Sequence, residues 1–192
     1  MFTGIITHLG TFAKRKQYEF LFVVPKDLAK QLTEGLSIAI DGVCLSVKKK
    51  EATAIYVDIM PETLKKTILG NLKLNTLVNL ELPITTGTFF AGHIVQGHID
   101  GVAKLEEIFK KDNSYVLKFS ILNTLSKFIV EKGSITINGI SLTVIEAKKD
   151  FFLVGIVPYT WNHTMLHNIK IGDFVNVEVD ILAKYLKKLI KI

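Results

Sequence analysis

Residues 140–144 read ISLTV and residues 43–47 read VCLSV. In an extended strand alternate side chains share a face. Ser141 and Thr143 therefore point one way while Leu142 points the other. In the earlier stretch Cys44 and Ser46 share a face and Leu45 opposes them. Small hydroxyls and a thiol along one face can line a pocket for a polar ligand, or simply decorate an exposed strand. An imidazole, His98, and a carboxylate, Asp180, lie in the same half of the chain as Ser141. A hydroxyl, an imidazole and a carboxylate are the groups that acid–base chemistry draws on. Each alone also reads as an ordinary satisfied polar residue.

His93 and His98 invite a metal reading. Five positions apart on a strand they would face opposite sides, which is poor chelating geometry. No metal site is expected. Neither a Gly-rich phosphate loop, a CxxC pair nor an HExxH motif occurs.

The elements that must position these groups occur twice. GLSIAIDGVCLSV (35–47) matches KGSITINGISLTV (132–144), and residues 58–82 match residues 155–179, both at an offset of 97 without a gap. Pro61 meets Pro158, Thr63 meets Thr160, Asn79 meets Asn176 and Glu81 meets Glu178. A repeat of this length is a duplicated domain rather than a solenoid unit. A duplicated frame should hold two similar things, and its differences mark where an asymmetric task is done. Ser141 stands opposite Cys44, and Asp180 opposite Pro83. GHIDGVA (97–103) aligns with GIITHLG (4–10), so His98 takes the place of Ile5.

The chain has 192 residues, 48% of them hydrophobic and 22% charged, as in a water-soluble globular protein. No apolar run approaches a membrane helix and MFTGIITHLG lacks the regions of a signal peptide, so no membrane role and a cytoplasmic location are expected. One cysteine excludes an internal disulfide. The net charge of +6 invites nucleic acid, yet 23 lysines accompany a single arginine, Arg15, in short scattered groups. A nucleic-acid-binding barrel would interleave aromatic and basic residues. Phe20, Phe22, Phe151 and Phe152 instead sit in apolar stretches, and no nucleic acid is expected as a partner.

Strand signals dominate in both copies, and short helices are expected at 26–35 and 123–133. Several short strands per copy suggest a small closed barrel. TTGTFFAG (85–92) reads as the linker. The tail 181–192 is unique to the second copy. Leu182, Tyr185, Leu186 and Leu189 form one apolar helix face that must pack on its own barrel or on another subunit.

The opening MFTGII, then DGVCLSV, MPETL, GHIVQGHIDG, KGSITINGISLTV and VNVEVD, in this order, closely resemble riboflavin synthases of the two-barrel, trimeric type. The resemblance implies an all-β fold of two duplicated six-stranded Greek-key barrels, over residues 1–87 and 88–180, plus a C-terminal helix, 181–192, that assembles a homotrimer. It implies a dismutation of two 6,7-dimethyl-8-ribityllumazine molecules to riboflavin and 5-amino-6-(ribitylamino)uracil, without metal or redox cofactor, and allows association with lumazine synthase. It also implies site residues. A first-barrel pocket would use Gly4, Ile5, Ile6, Cys44, Leu45, Ser46, Asp58, Ile59, Met60, Pro61, Glu62 and Thr63. A second would use Gly97, His98, Ile99, Lys132, Ser141, Leu142, Thr143, Val157, Pro158, Tyr159, Thr160, Trp161 and Asn162. The catalytic pair would be Ser141 with Asp180, the carboxylate orienting the hydroxyl, assisted by His98, Thr143 and Cys44. Asn138, Ser46, Ala91 and the segment 159–162 depart from the family pattern. A lumazine- or flavin-binding relative without catalysis is the alternative on this fold. It would be expected to lose the hydroxyl and carboxylate that Ser141 and Asp180 supply.

Overall fold

A computed structural model describes residues 1–190. The first copy contributes β1 (His8–Lys16), β2 (Glu19–Val23), β3 (Ser37–Ile40), β4 (Val43–Lys50), β5 (Ala54–Asp58) and β6 (Leu77–Glu81). The second contributes β7 (Gly101–Lys111), β8 (Ser114–Ser120), β9 (Ser134–Ile137), β10 (Ile140–Ala147), β11 (Phe151–Ile156) and β12 (Phe174–Val179). Each set closes into a six-stranded antiparallel barrel with the same order, β1-β2-β5-β4-β3-β6 and β7-β8-β11-β10-β9-β12. Bulges recur at matching places, between Val47 and Lys49 in β4 and between Val144 and Glu146 in β10. Such bulges bend a strand and help a short sheet close on itself. β1 and β7 carry little sequence signal. Apolar alternation holds only near Gly10 and Phe12, and near Ala103 and Leu105, before charged residues take over.

Each barrel fills its own core. Phe12, Phe20 and Phe22 pack together in the first, and Phe119 stacks on Phe152 in the second at 5.5 Å between ring centres. Helices α1 (Lys26–Gln31) and α2 (Pro61–Lys66) belong to the first copy, and α3 (Asn123–Ser126) and α4 (Pro158–His163) to the second. Proline opens α2 and α4, where its missing N–H is no loss. The helix expected over 123–133 is shorter. Only one turn forms, Ile129 drops into the barrel core, and Lys132 takes a left-handed φ of 63°.

The barrels meet back to back at two hairpin turns, Asp41–Gly42 and Asn138–Gly139. All four residues have positive φ, as a tight two-residue hairpin turn demands. A Cβ on Gly42 would lie 2.6 Å from the Gly139 nitrogen, so the approach needs glycine. Two buried asparagines sew the joint. The Asn79 side-chain amide donates to the Asn138 carbonyl and that of Asn176 to the Asp41 carbonyl, each at 2.8 Å. Their amide oxygens accept the backbone N–H of Met165 and Ile68.

The last element, α5 (Ile181–Leu189), is tied to the second barrel by its lysines. Lys184 pairs with Asp100 at 2.7 Å, and Lys187 lies 5.0 Å from the centre of the Phe128 ring. Leu182, Tyr185, Leu186 and Leu189 are all more than half exposed. Within the chain the apolar face is therefore not spent on its own barrel. Residues 191 and 192 of the expected helix lie outside the described residues.

Candidate functional site

Two arms cross between the barrels. The segment before β1 and the segment before β7 pair with each other, Phe2 N–H donating to the Val95 carbonyl at 2.7 Å and His93 N–H to the Thr3 carbonyl at 3.1 Å. Gly4 and Gly97 sit at φ values of 77° and 80°. The Gly4 carbonyl accepts the Ser141 N–H at 2.8 Å, and the Gly97 carbonyl accepts the Cys44 N–H at 2.9 Å. A Cβ on either glycine would come within 2.6 Å of the facing Cβ, of Ser141 or of Cys44. Each arm thus abuts the strand of the other copy. Ile6 packs on the second core and Ile99 on the first. This corrects the expected grouping: Gly4, Ile5 and Ile6 belong beside Ser141, and Gly97, His98 and Ile99 beside Cys44. Linear order concealed the exchange.

The Cys44 site is an open pocket of about 240 Å³ lined by Cys44, Met60, Glu62, Thr63, Gly97, His98 and Ile99, among others. Pro61 begins α2 beside it. Leu45 and Ile59 point into the barrel core, so only their backbones are offered here. Ser46 is exposed. Asp58 is tied on the surface to Lys48, 3.0 Å away, which also holds Glu19.

The Ser141 site is furnished differently. Ser141 Oγ lies 2.7 Å from His93 Nδ1, and His93 Nε2 lies 3.3 Å from Thr136 Oγ1. Burial pushes the His93 imidazole below its ordinary value of 6.5, while the Asp180 carboxylate pulls it back up. Neutral imidazole is the form that can take a proton from a hydroxyl. Asp180, expected to orient Ser141, makes no hydrogen bond to it among the described residues. Asp180 instead caps α5, its Oδ1 accepting the Leu182 N–H at 2.9 Å. Its charge acts on the His93 imidazole.

Around this pair, Leu142 is buried in the core and Thr143 is exposed. Val157 and Tyr159 stand exposed at the start of α4, which Pro158 opens, and Thr160 and Asn162 follow on its next turn. Trp161 turns toward the barrel and stacks on Tyr115 at 3.9 Å, and Tyr159 stacks on His163 at 4.0 Å. Lys132 is exposed, its left-handed backbone standing where the first copy has Gly35. Such strain in a non-glycine residue costs on the order of 1 kcal/mol. No cluster of three or more His, Cys, Asp or Glu suited to a metal gathers among the described residues.

Comparison with known proteins decides the family. A family profile described as the lumazine binding domain matches twice, at residues 3–83 and 96–180. Riboflavin synthase of Actinobacillus pleuropneumoniae is 45% identical, the match covering 98% of this chain and 89% of that one. The chain belongs to the riboflavin synthase family. Riboflavin synthase of Bacillus subtilis is 36% identical over 97% of this chain and 88% of its own. Solved structures of LumP with riboflavin and with 6,7-dimethyl-8-(1'-D-ribityl) lumazine superpose with TM-scores of 0.85 and 0.82, at 25% and 24% identity, each covering 93% of this chain and 99% of that one. As a member of the riboflavin synthase family, a family of transferases, the chain has both halves of the lumazine-binding repeat. His93 was weighed in the sequence only as a metal ligand, and its place beside Ser141 was not foreseen. Its signal was present in GHIVQGHIDG, but the strand assumed there would have turned it away. In the structure the segment is an arm, joined to the N-terminal arm by the pairing of Phe2 with Val95 and by the His93–Thr3 hydrogen bond.

Proposed function

We propose that this chain is a riboflavin synthase: it binds two molecules of 6,7-dimethyl-8-ribityllumazine and transfers a four-carbon unit from one to the other. The products are riboflavin and 5-amino-6-(ribitylamino)uracil, whose atoms together equal the two substrates, so no external oxidant is needed. The observation that carries this reading is the Ser141–His93 contact, because a ligand carrier has no use for a hydroxyl held against a neutral, half-buried imidazole. Ser141 and His93 move the proton of the lumazine 7-methyl group or assist attack on the ring. Asp180 raises the proton affinity of His93 against the larger effect of burial. The Cys44 pocket, with His98 and Thr63, holds the partner molecule.

The Cys44 pocket and Ser141 belong to different barrels of one chain, and in this proposal the two substrates meet across a boundary between subunits. The exposed face of Leu182, Tyr185, Leu186 and Leu189 supports a homotrimer that brings the first barrel of one subunit to the second barrel of its neighbour. Orientation alone can then supply up to roughly 7–11 kcal/mol of the acceleration. The likeness to LumP favours a second reading, a lumazine- or flavin-binding protein without turnover. Incubating the purified chain with the lumazine and no added cofactor separates them. Riboflavin fluorescence rising as one mole forms per two consumed supports the enzyme. Saturable binding with no riboflavin formed supports the carrier and overturns the proposal.

A further inference from the structure

Two glutamates stand at matching positions near the ends of β6 and β12, Glu81 and Glu178, and are only 4% and 2% exposed. Among the described residues, neither forms an ion pair. Each instead collects backbone N–H groups from an arm. Glu178 accepts from Gln96 N–H at 2.7 Å, Gly97 N–H at 2.9 Å and His98 N–H at 3.1 Å. Glu81 accepts from Thr3 N–H at 2.7 Å, the Thr3 hydroxyl at 2.8 Å and Gly4 N–H at 3.1 Å. Both oxygens of both carboxylates are used. Burial pushes both carboxyls up and the converging N–H groups pull them down, with Lys184 adding to the pull on Glu178 alone. A buried carboxylate is costly unless donors surround it. Here the donors are the backbone of the segments that touch Ser141 and Cys44.

The arms cross, and so does the consequence. Glu178 is part of the second barrel, but the segment it grips closes the Cys44 pocket of the first. Glu81 is part of the first barrel, but its segment lies against Ser141 in the second. We infer that Glu81 and Glu178 are positioning residues wired across the barrels, each setting the ligand site of the other repeat by clamping its arm. The inference rests on the proposed function for the ligand, but not for the wiring. A glutamine at either position must turn an NH₂ toward a backbone N–H. One acceptor becomes a donor facing a donor, and the arm loosens.

Cys44 is the chain's single cysteine, and its N–H is held by Gly97 of the arm that Glu178 clamps, while the other arm meets it only through Phe2. Alkylation by iodoacetamide is followed in the parent, Glu178→Gln and Glu81→Gln at one pH. Losing a charge-assisted hydrogen bond should make Glu178→Gln react roughly tenfold faster. Glu81→Gln should change the rate far less, because its arm touches Cys44 only through Phe2. Moving the thiol, by Ser141→Cys in a Cys44→Ser background, should reverse the pattern. Equal acceleration by both variants, or acceleration of Cys44 by Glu81→Gln alone, overturns the wiring. Should Glu178→Gln fail to fold, Glu178→Asp is read the same way, its charge kept and its reach shortened by one methylene. Riboflavin as a probe then tests the ligand separately. It should protect Cys44 in the parent and in Glu81→Gln but not in Glu178→Gln. Protection in no variant overturns the flavin reading of the pocket, and the alkylation rates still decide the wiring.

Discussion

The Cys44 and Ser141 sites share a strand, a left-handed glycine and an arm anchored by a buried glutamate, yet they offer a ligand different surroundings. Cys44 packs against the buried cluster of Phe2, Ala39 and Val95 and opens on a pocket whose ring, His98, makes no side-chain hydrogen bond among the described residues. Ser141 meets His93 directly, with Asp180 near enough to act on the imidazole. The difference arises in the arms. The same arm that passes Gly97 to Cys44 first lays His93 over Ser141. On the proposed function, one duplicated frame would serve to hold one heterocycle at Cys44 and to move a proton from another at Ser141. A reaction in which two identical molecules take opposite roles needs that asymmetry.

The comparison is broken most completely by separating the two sites. If the apolar face of α5 holds subunits together, Leu182→Glu with Leu186→Glu should give a monomer by sedimentation. Each barrel should stay folded, because neither residue contacts a core. Turnover should then fall by at least about a thousandfold, since two bound substrates no longer meet at high effective concentration. A folded monomer with parental turnover would show that one chain suffices.

The next effect concerns only one side of the comparison. Ser141→Ala and His93→Gln should each lower turnover by roughly a hundredfold, within the range of a lost proton-transfer group. Their combination should cost less than the product, as for residues acting as one unit. Cys44→Ala should cost less than about tenfold and act mainly through KM. Equal losses in turnover at both sites would mean that the repeat divides binding but not chemistry.

Asp180→Asn sharpens the same contrast through pH. Its carboxylate favours the charged imidazole, so removing it lowers the proton affinity of His93 further. The acid limb of the turnover profile should already lie below the ordinary imidazole value of 6.5 and should move further toward acid in the variant. The maximal rate should fall by roughly tenfold. A limb moving toward alkaline pH would disconnect Asp180 from His93.

Much of the fold was legible because the duplication doubled every signal. The strand signals and the short helices expected after residues 26 and 123 could each be read twice, whereas the stretches around Asp41–Gly42 and Asn138–Gly139 read as continuous strand and turn out to be hairpins. β1 and β7 were not legible, because their charged ends mask a short apolar alternation. The residues of the site were legible by family likeness, but their grouping was not. Pairing Gly4 with Cys44 assumes that a segment serves the barrel it precedes, and only hydrogen bonds between distant segments show the exchange. The place of His93 was not foreseen for a related reason, since periodicity presumes regular structure and the arm has none. Asp180 was expected as a direct partner of Ser141, whereas a carboxylate at a helix start is readily taken by the helix itself.

The smallest effect lies where the copies touch. Asp41 and Asn138 occupy equivalent turns, and each accepts a backbone N–H, from Asn79 and from Asn176. Asn138 then sends its amide to the Met165 sulfur, while the second oxygen of Asp41 is buried and finds no hydrogen-bond partner among the described residues. Burial pushes the Asp41 carboxyl up from 3.8 to about 7, the Asn79 N–H opposing only in part. The folded state therefore holds its proton where the unfolded chain has lost it. The stabilisation this gives is complete below 3.8 and is lost as pH rises through about 7. Asp41→Asn keeps the oxygen that accepts from Asn79 and removes the charge. It should raise Tm at pH 8 by a few degrees, the gain shrinking toward pH 4, whereas Asn138→Asp should lower Tm at pH 8. Calorimetry at the two pH values checks both signs. A gain for Asp41→Asn that is the same at both would mean that the Asp41 carboxylate is neutralised by something other than a proton.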